Sequence, residues 1–151
     1  MNAHHPIFIA LEGIDGAGSS TQAALLVDRL RSRGIPAHLT AEPTASPASR
    51  AIREMLAGTE MPDRRALALL FAADRVLHQQ EIEAALARGE TVVCCRYVLS
   101  SLAYQGAEGG PGASDWISDI NRLAHWPDLT ILLDLPVEVA AERRALRGGS
   151  A

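Results

Sequence analysis

The stretch IFIALEGIDGAGSST (residues 7–21) decides the fold class of the chain. It begins with the apolar run Ile7–Leu11, whose continuous hydrophobicity is typical of a strand in a parallel sheet, because helices cover both faces of such a strand. In the loop that follows, Gly13 and Gly18 have the spacing of G-x-x-x-x-G-K-[ST]. Backbone N–H groups and the helix N-terminus bind phosphate in loops of this kind. The stretch therefore predicts an α/β fold with a phosphate-binding loop after its first strand.

The loop departs from this pattern at Ser19, which stands where the pattern has lysine. All 14 basic residues of the chain are arginine, and it contains no lysine. Ser20 stands where a hydroxyl would bind Mg²⁺. A tight turn that binds nothing is the alternative interpretation of such a glycine-rich loop. The residues that we expect to contact the phosphates of ATP are Gly13, Gly16, Ala17, Gly18, Ser19, Ser20 and Thr21.

Further apolar runs alternate with helical segments along the chain. Thr91–Cys95 and Leu129–Leu133 predict two more strands buried on both faces, and the more polar run Ala37–Thr40 predicts a strand nearer an edge. Gly106–Ala113 predicts a mobile loop. Helices are predicted over Ser20–Arg33, Asp63–Arg88, Ser114–His125 and Val137–Arg147. This alternation predicts a single α/β domain over residues 1–151, with a mostly parallel sheet and ligands at the carboxyl ends of its strands.

The composition excludes several classes of protein. Eighteen acidic residues against 14 basic ones argue against a broad nucleic-acid-binding surface. The longest apolar run, Ala66–Ala73, is far shorter than the ~20 residues of a membrane-spanning helix, and the N-terminus lacks the pattern of a secretory signal. Two adjacent cysteines, Cys94 and Cys95, cannot form a disulfide framework. We therefore expect a cytoplasmic protein that binds neither membranes nor nucleic acids.

Several longer segments carry a more specific signal. They are FIALEGIDGAGSSTQ (8–22), AEPT (41–44), LLFAADRVLHQQEI (69–82), CRYVLSSLAYQG (95–106) and PDLTILLDLP (127–136). In this order they closely resemble the thymidylate kinase family of P-loop nucleoside monophosphate kinases, from residue 7 to the end of the chain. The resemblance implies a three-layer α/β/α P-loop NTPase fold, here lacking the family's last strand and helices. It also implies phosphorylation of dTMP to dTDP by ATP with Mg²⁺, and a homodimer.

Several of these residues suit a nucleotide pocket chemically. Phe71 and Arg75 are four residues apart and share a helix face, so they could stack on a pyrimidine and bond to its edge or its phosphate. A core phenylalanine beside a surface arginine is the alternative. Arg96 follows a strand end, where a guanidinium can bind phosphate bidentately. The resemblance implies that Phe71 stacks on thymine, Arg96 binds the dTMP phosphate and Tyr104 lies against the 2′ side of the sugar. The expected dTMP-binding residues are Asp15, Glu42, Phe71, Arg75, Arg96, Ser100, Ser101, Tyr104 and Gln105.

Phosphoryl transfer depends on positioning and on neutralising charge. The predicted catalytic residues are Asp15, Arg96, Arg143 and Arg147. The resemblance places Asp15 near the 3′-hydroxyl of dTMP, and it matches Arg143 and Arg147 to an arginine-rich lid; a solvated helix face is the alternative for these two arginines. Charge is lost at Ser19 and at Cys95, which replaces an aspartate of the family pattern. A catalytically impaired nucleotide-binding module, or a fragment of a longer kinase, is therefore the alternative to an active enzyme.

Overall fold

A parallel sheet forms the centre of the protein. The computed structural model describes residues 5–58, 63–107 and 111–146. The strands are β1 (Phe8–Gly13), β2 (Ala37–Ala41), β3 (Thr91–Cys95) and β4 (Leu129–Leu133). They lie in the order β2-β3-β1-β4, and every neighbouring pair is parallel. The four predicted strands are confirmed. Because all four strands are parallel, their carboxyl ends lie at the same end of the sheet.

Helices connect the strands. They are α1 (Ser19–Ser32), α2 (Pro47–Ala57), α3 (Arg64–Ala87), α4 (Val98–Ser101), α5 (Ala113–Ile120) and α6 (Val137–Leu146), with a π-helical turn over Leu102–Gly106. Within the described residues, no helix is long and apolar enough to cross a membrane. Arg147 and part of the predicted Gly106–Ala113 loop lie outside the residues that the structure describes.

Two helices differ from the sequence-based expectation. Helix α2 was not predicted, although Ser46 accepts a hydrogen bond from Ser49 N and Pro47 occupies the first turn, which is a standard helix start. The prediction of a helix to His125 is wrong, because α5 ends at Ile120. The Asn121 amide donates to the Ile117 carbonyl at 2.8 Å, and such a local bond competes with continuation of the helix.

Two apolar clusters cover the two faces of the sheet. Phe8, Val92 and Cys94 pack with α3 residues on one face. On the other face, Val93 and Cys95 pack with residues of α1. Alternation along β3 sends successive side chains to opposite faces, so the two adjacent cysteines are both buried and both free. The three-layer α/β/α architecture is therefore confirmed.

The edge strands differ in exposure from the central ones. The predicted position of β2 at an edge is confirmed. The expectation that β4 is buried on both faces is wrong, because Leu132 is 66% exposed and Leu129 is also exposed. Among the described residues, β4 is the other edge strand and pairs with β1 alone. Its apolar composition therefore does not produce the burial that the same composition produces in β3, whose five residues are all buried.

The buried phenol of Tyr97 predicts a loss of stability in alkali. Burial raises the pKa of Tyr97, and among the described residues its hydroxyl has no hydrogen-bond partner. A tyrosine in the unfolded chain ionises near pH ~10. The raised pKa therefore contributes stability that is complete below this pH and is lost as the pH rises above it. We expect Tyr97→Phe to keep or slightly raise the free energy of unfolding at pH 7, and to show a shallower alkaline decline in urea titrations. Equal alkaline slopes in the two proteins would contradict this account.

Candidate active site

The glycine loop joins β1 to α1 at the carboxyl edge of the sheet. Gly16 and Gly18 have φ values of 94° and 93°, a region that favours glycine. Gly18 precedes the first residue of α1, and Ser19 is buried at the start of this helix. The structure therefore places the predicted phosphate-contacting residues in the strand–loop–helix arrangement that the sequence indicated.

Helix α6 lies directly against this loop. A Cβ atom at Gly16 would come within 2.4 Å of the Ala140 carbonyl oxygen, and Ala140 is buried on α6. Arg143 is exposed one turn further along the same helix. The predicted lid arginine is thus carried by a helix that contacts the loop, while its predicted companion Arg147 lies outside the described residues.

The Ser20 hydroxyl, predicted to bind Mg²⁺, has the Cys95 thiol as its neighbour. Ser20 Oγ lies 3.4 Å from Cys95 Sγ. Mg²⁺ prefers oxygen ligands, so the Ser20 hydroxyl fits this ion and the Cys95 thiol does not. In the part of the chain that the structure describes, no group of three or more histidine, cysteine, aspartate or glutamate residues could hold a metal ion. An ion at Ser20 would therefore not be held by a cluster of three or more such side chains from the described residues.

A cavity of about 600 Å³ opens beside the loop. All nine residues predicted to bind dTMP line it. Sequence reasoning missed six further lining residues, which are Pro43, Leu56, Arg64, Leu67, Tyr97 and Ala103. Leu56 belongs to the unpredicted helix α2, and Leu67 lies on α3 one turn before Phe71. These two leucines carried no recognisable signal beyond apolar helix spacing.

Arg75 is a buried side chain at the wall of this cavity. It is 1% exposed, so the alternative of a surface arginine is wrong. Its Nη2 donates to Glu42 Oε2 at 2.5 Å and to Ser101 Oγ at 3.2 Å, and its Nη1 contacts Asn121 Oδ1. Among the described residues, the Nε–H of Arg75 has no acceptor and Gln105 Oε1 has no donor. The cavity wall therefore buries one donor and one acceptor that have no partner among the described residues.

The loop after β2 is held by α3. Asp74 is fully buried and accepts hydrogen bonds from Thr44 N at 2.9 Å and from Ser46 Oγ at 2.6 Å. Arg53 of α2 donates to the carbonyls of Pro43 and Thr44 at 3.0 and 2.7 Å. Charge-assisted bonds of this kind are about twice as strong as neutral ones. They fix the loop that carries Glu42 and the start of α2.

Glu12 is a further buried carboxylate that was not identified from the sequence. It lies near the end of β1 and accepts bonds from the backbone N–H of Tyr97 at 2.9 Å and of Ser100 at 3.3 Å. The Ser100 hydroxyl also donates to Glu12, at 2.6 Å. Glu12 therefore caps the start of α4, which carries Ser100 and Ser101. A carboxylate immediately after a buried strand was the available signal.

Arg96 joins the cavity to the glycine loop. Its Nη2 lies 2.5 Å from Asp15 Oδ1, its Nη1 donates to Tyr104 Oη at 3.3 Å, and its guanidinium lies 5.5 Å from the centre of the Tyr104 ring. Its φ of 66° is in the left-handed region, a conformation that costs roughly 1–3 kcal/mol for a non-glycine residue and clusters at functional sites. Asp15 and Arg96, each of which was predicted to bind dTMP, are thus in direct contact.

A family model and two related proteins that match this sequence carry similar descriptions. A family model described as "Thymidylate kinase" matches residues 11–150. A protein named "Thymidylate kinase" from Thermomicrobium roseum is 49% identical over 142 residues, covering 91% of this chain and 67% of the relative. A protein named "Probable thymidylate kinase" from Pyrococcus abyssi is 46% identical over 147 residues, covering 93% of this chain and 71% of the relative.

The contact between Gly16 and α6 leads to a prediction with an internal control. Alanine at Gly16 or at Gly18 is strained by the positive φ, at roughly 1–2 kcal/mol each. A Cβ at Gly18 meets nothing within 4 Å, whereas one at Gly16 collides with the backbone of Ala140. We expect Gly16→Ala to lower the free energy of unfolding more than Gly18→Ala, measured by urea unfolding, and to speed amide hydrogen exchange in α6. Equal losses in the two variants would show that α6 does not rest on the loop.

Proposed function

The chain belongs to the thymidylate kinase family, and we propose that it transfers the γ-phosphoryl group of ATP to dTMP, giving ADP and dTDP. The observation that carries this proposal is that one ion pair, between Asp15 and Arg96, connects the glycine loop to the cavity. Asp15 belongs to the glycine loop, Arg96 follows β3, and both line the cavity of about 600 Å³. A nucleotide phosphate in the cavity would therefore lie next to a phosphate bound by the loop. Phosphoryl transfer requires this placement.

The cavity wall suits a thymine nucleotide. Phe71 offers an aromatic face for stacking. The Arg75 Nε–H and Gln105 Oε1, which are buried without a partner among the described residues, would complement a carbonyl oxygen and an N–H group of the thymine edge once a ligand reaches them. Tyr104 lies against Arg96, and we assign it to the sugar that links the base to the phosphate. These contacts support dTMP as the phosphoryl acceptor.

Arg96 is the proposed ligand of the dTMP phosphate. Its guanidinium already lies beside a carboxylate of the loop, and a phosphate presents the same oxygen geometry for bidentate bonding. When the phosphate takes this place, Asp15 is released and can accept a hydrogen bond from the sugar 3′-hydroxyl. We propose Asp15 and Arg96 as catalytic residues on this basis.

The ATP side relies on backbone groups and on arginine. We propose that the N–H groups from Gly16 to Thr21 and the N-terminus of α1 bind the ATP phosphates. Ser19 donates a hydrogen bond without charge, and Ser20 supplies one oxygen to Mg²⁺. When bound, this ion neutralises negative charge on the phosphates. Arg143, on the helix that rests on Gly16, is the proposed source of further positive charge, together with Arg147.

We also propose that the protein is a cytoplasmic homodimer, with residues 1–151 forming one domain. Two buried free thiols suit a reducing compartment. Leu69, Val76 and Leu77 are exposed on α3 and lie with Ala73 along one side of the helix, at spacings of three and four residues. An apolar stripe of this kind is normally covered by another surface. A second copy of α3 would cover it.

The kinase proposal predicts that ADP release depends on both nucleotides. We expect turnover with ATP and dTMP in a coupled assay, and separate binding of each nucleotide in calorimetry. Arg96→Ala should weaken dTMP binding roughly tenfold to a hundredfold, because charged hydrogen bonds are lost. Arg88→Ala is the matched control, since Arg88 pairs with Glu90 on the surface at the far end of α3. Binding of dTMP without turnover would instead indicate a nucleotide-binding module.

The uncharged residue at position 19 predicts that activity can be raised. Ser19→Lys places an ammonium group at the phosphates, and one transition-state donor is worth about 10²–10³ in kcat. Ser19→Met, which has an uncharged unbranched side chain, is the control for the added bulk. If kcat stays at the wild-type value in both variants, the positive charge at the phosphates comes from the arginines of α6.

The dimer proposal predicts that one charge on α3 separates the protomers. Leu77→Glu should yield a monomer in sedimentation equilibrium, because a carboxylate buried without a partner is strongly unfavourable. Leu25→Glu is the matched control, since Leu25 is 55% exposed against 46% for Leu77 but lies on α1. A dimer that survives Leu77→Glu would show that this face is not the interface.

A further inference from the structure

A buried histidine lies behind the cavity and takes no part in the proposed chemistry. His78 follows Arg75 by one turn of α3, and its side chain is fully buried. Its Nε2 lies 2.7 Å from Thr40 Oγ1 and its Nδ1 lies 3.2 Å from Glu42 Oε1. It is absent from the residues that line the cavity. Any effect of His78 on a ligand must therefore pass through another side chain.

The chemistry of the carboxylate decides which partner donates in the hydrogen bond between His78 and Glu42. An ionised carboxylate can only accept hydrogen bonds, so Nδ1 carries a proton and donates it to Glu42. Nε2 bonds with the Thr40 hydroxyl. Both ring nitrogens thus have a partner. Glu42 and Arg75 remain a matched buried ion pair, which avoids the cost of an unpaired buried charge.

The carboxylate of Glu42 is held from both sides. Oε1 accepts from His78 and Oε2 accepts from Arg75 at 2.5 Å, so the carboxylate plane cannot turn without breaking one of the two bonds. Glu42 sits on the loop after β2, whereas both partners sit on α3. His78 therefore fixes the loop carboxylate in the orientation that the arginine needs.

We infer that His78 is a positioning residue for the nucleotide: through Glu42 it holds the guanidinium of Arg75 in place at the cavity wall. The inference rests on the proposed function, because Arg75 acts on dTMP only if the cavity binds dTMP. The positioning role of His78 differs from a packing role in what it requires of the side chain. A packing role requires the shape of the ring, whereas the positioning role requires the Nδ1–H donor.

Two substitutions at His78 separate these roles. His78→Leu keeps the bulk and removes both polar contacts, whereas His78→Asn keeps an N–H donor near the position of Nδ1. The loss of one hydrogen bond to a charged group should make His78→Leu bind dTMP about tenfold more weakly in calorimetry. The kcat at saturating dTMP should stay within about twofold, and ATP binding should be unchanged. His78→Asn should restore most of the dTMP affinity.

Ile82 provides the control for lost packing. It lies one turn beyond His78 on the same helix, is fully buried in the apolar cluster with Phe8 and Val92, and has no polar side-chain atom that could join the hydrogen-bonded chain. Ile82→Ala should lower the melting temperature at least as far as His78→Leu while leaving dTMP affinity unchanged. If His78→Asn binds dTMP as weakly as His78→Leu, or if His78→Leu binds it as tightly as the wild type, the positioning role is overturned.

A measurement on the nucleotide-free protein keeps this inference separate from the kinase proposal. Nitrogen-15 NMR should show a proton on His78 Nδ1 and slow exchange of the Arg75 guanidinium protons. In His78→Leu, the Arg75 protons should exchange at least about tenfold faster, because their acceptor is no longer held. If the wild type binds no dTMP, the proposed function fails and this arm still decides the role of His78. Unchanged Arg75 exchange in His78→Leu would overturn the inference whatever the activity.

Discussion

The buried ion pair between Glu42 and Arg75 is the interaction on which the rest of the site depends. It joins the loop after β2 to helix α3 and is almost completely withdrawn from water. Removing one partner of such a pair typically costs about 3–5 kcal/mol, because the other charge is left unpaired. Further bonds with His78, Ser101 and Asn121 engage other polar atoms of the pair, and among the described residues only the Arg75 Nε–H of this pair is left without a partner. The geometry of the cavity wall is therefore specified by electrostatics rather than by shape alone.

Helix α3 performs two tasks with two faces. Its buried polar residues, Asp74, Arg75 and His78, contact the loop after β2 or the cavity wall. Its buried apolar residues, such as Ile82 and Ala85, pack on the sheet with Phe8. Because one rigid element carries both sets, the position of the cavity wall is fixed relative to the strand ends. Precise placement of this kind is what phosphoryl transfer demands of a protein.

The sequence predicted the parts of the fold that depend on local pattern. Continuous apolar runs identified three strands, a more polar run identified β2, and the glycine spacing placed the loop between β1 and α1. Burial of β4 was predicted wrongly, since composition cannot show whether a strand has a neighbour on both sides. Helix α2 was missed because its start contains proline and serine, which also occur in turns.

The site was predictable as a set of residues but not as a network. All nine expected pocket residues line one cavity, and the family resemblance supplied most of them. Glu12, Asn121 and the pairing of His78 with Glu42 were not foreseen. Each joins segments that are at least 36 residues apart in the chain, and no local pattern records such distant contacts. The buried polar network forms only when distant segments come together in the fold, so it could not be predicted from local sequence patterns.

Under the proposed binding of the dTMP phosphate by Arg96, the pairing of this arginine with Asp15 has a consequence for substrate binding and product release. The carboxylate behaves as an internal competitor, tethered beside the guanidinium at a high effective concentration. An incoming phosphate must exchange with it, so part of the attraction between arginine and phosphate is spent on breaking the existing pair. The same competitor is ready to take the guanidinium back when the product leaves. Such an exchange limits affinity for the phosphate in both substrate and product, and it favours release over retention.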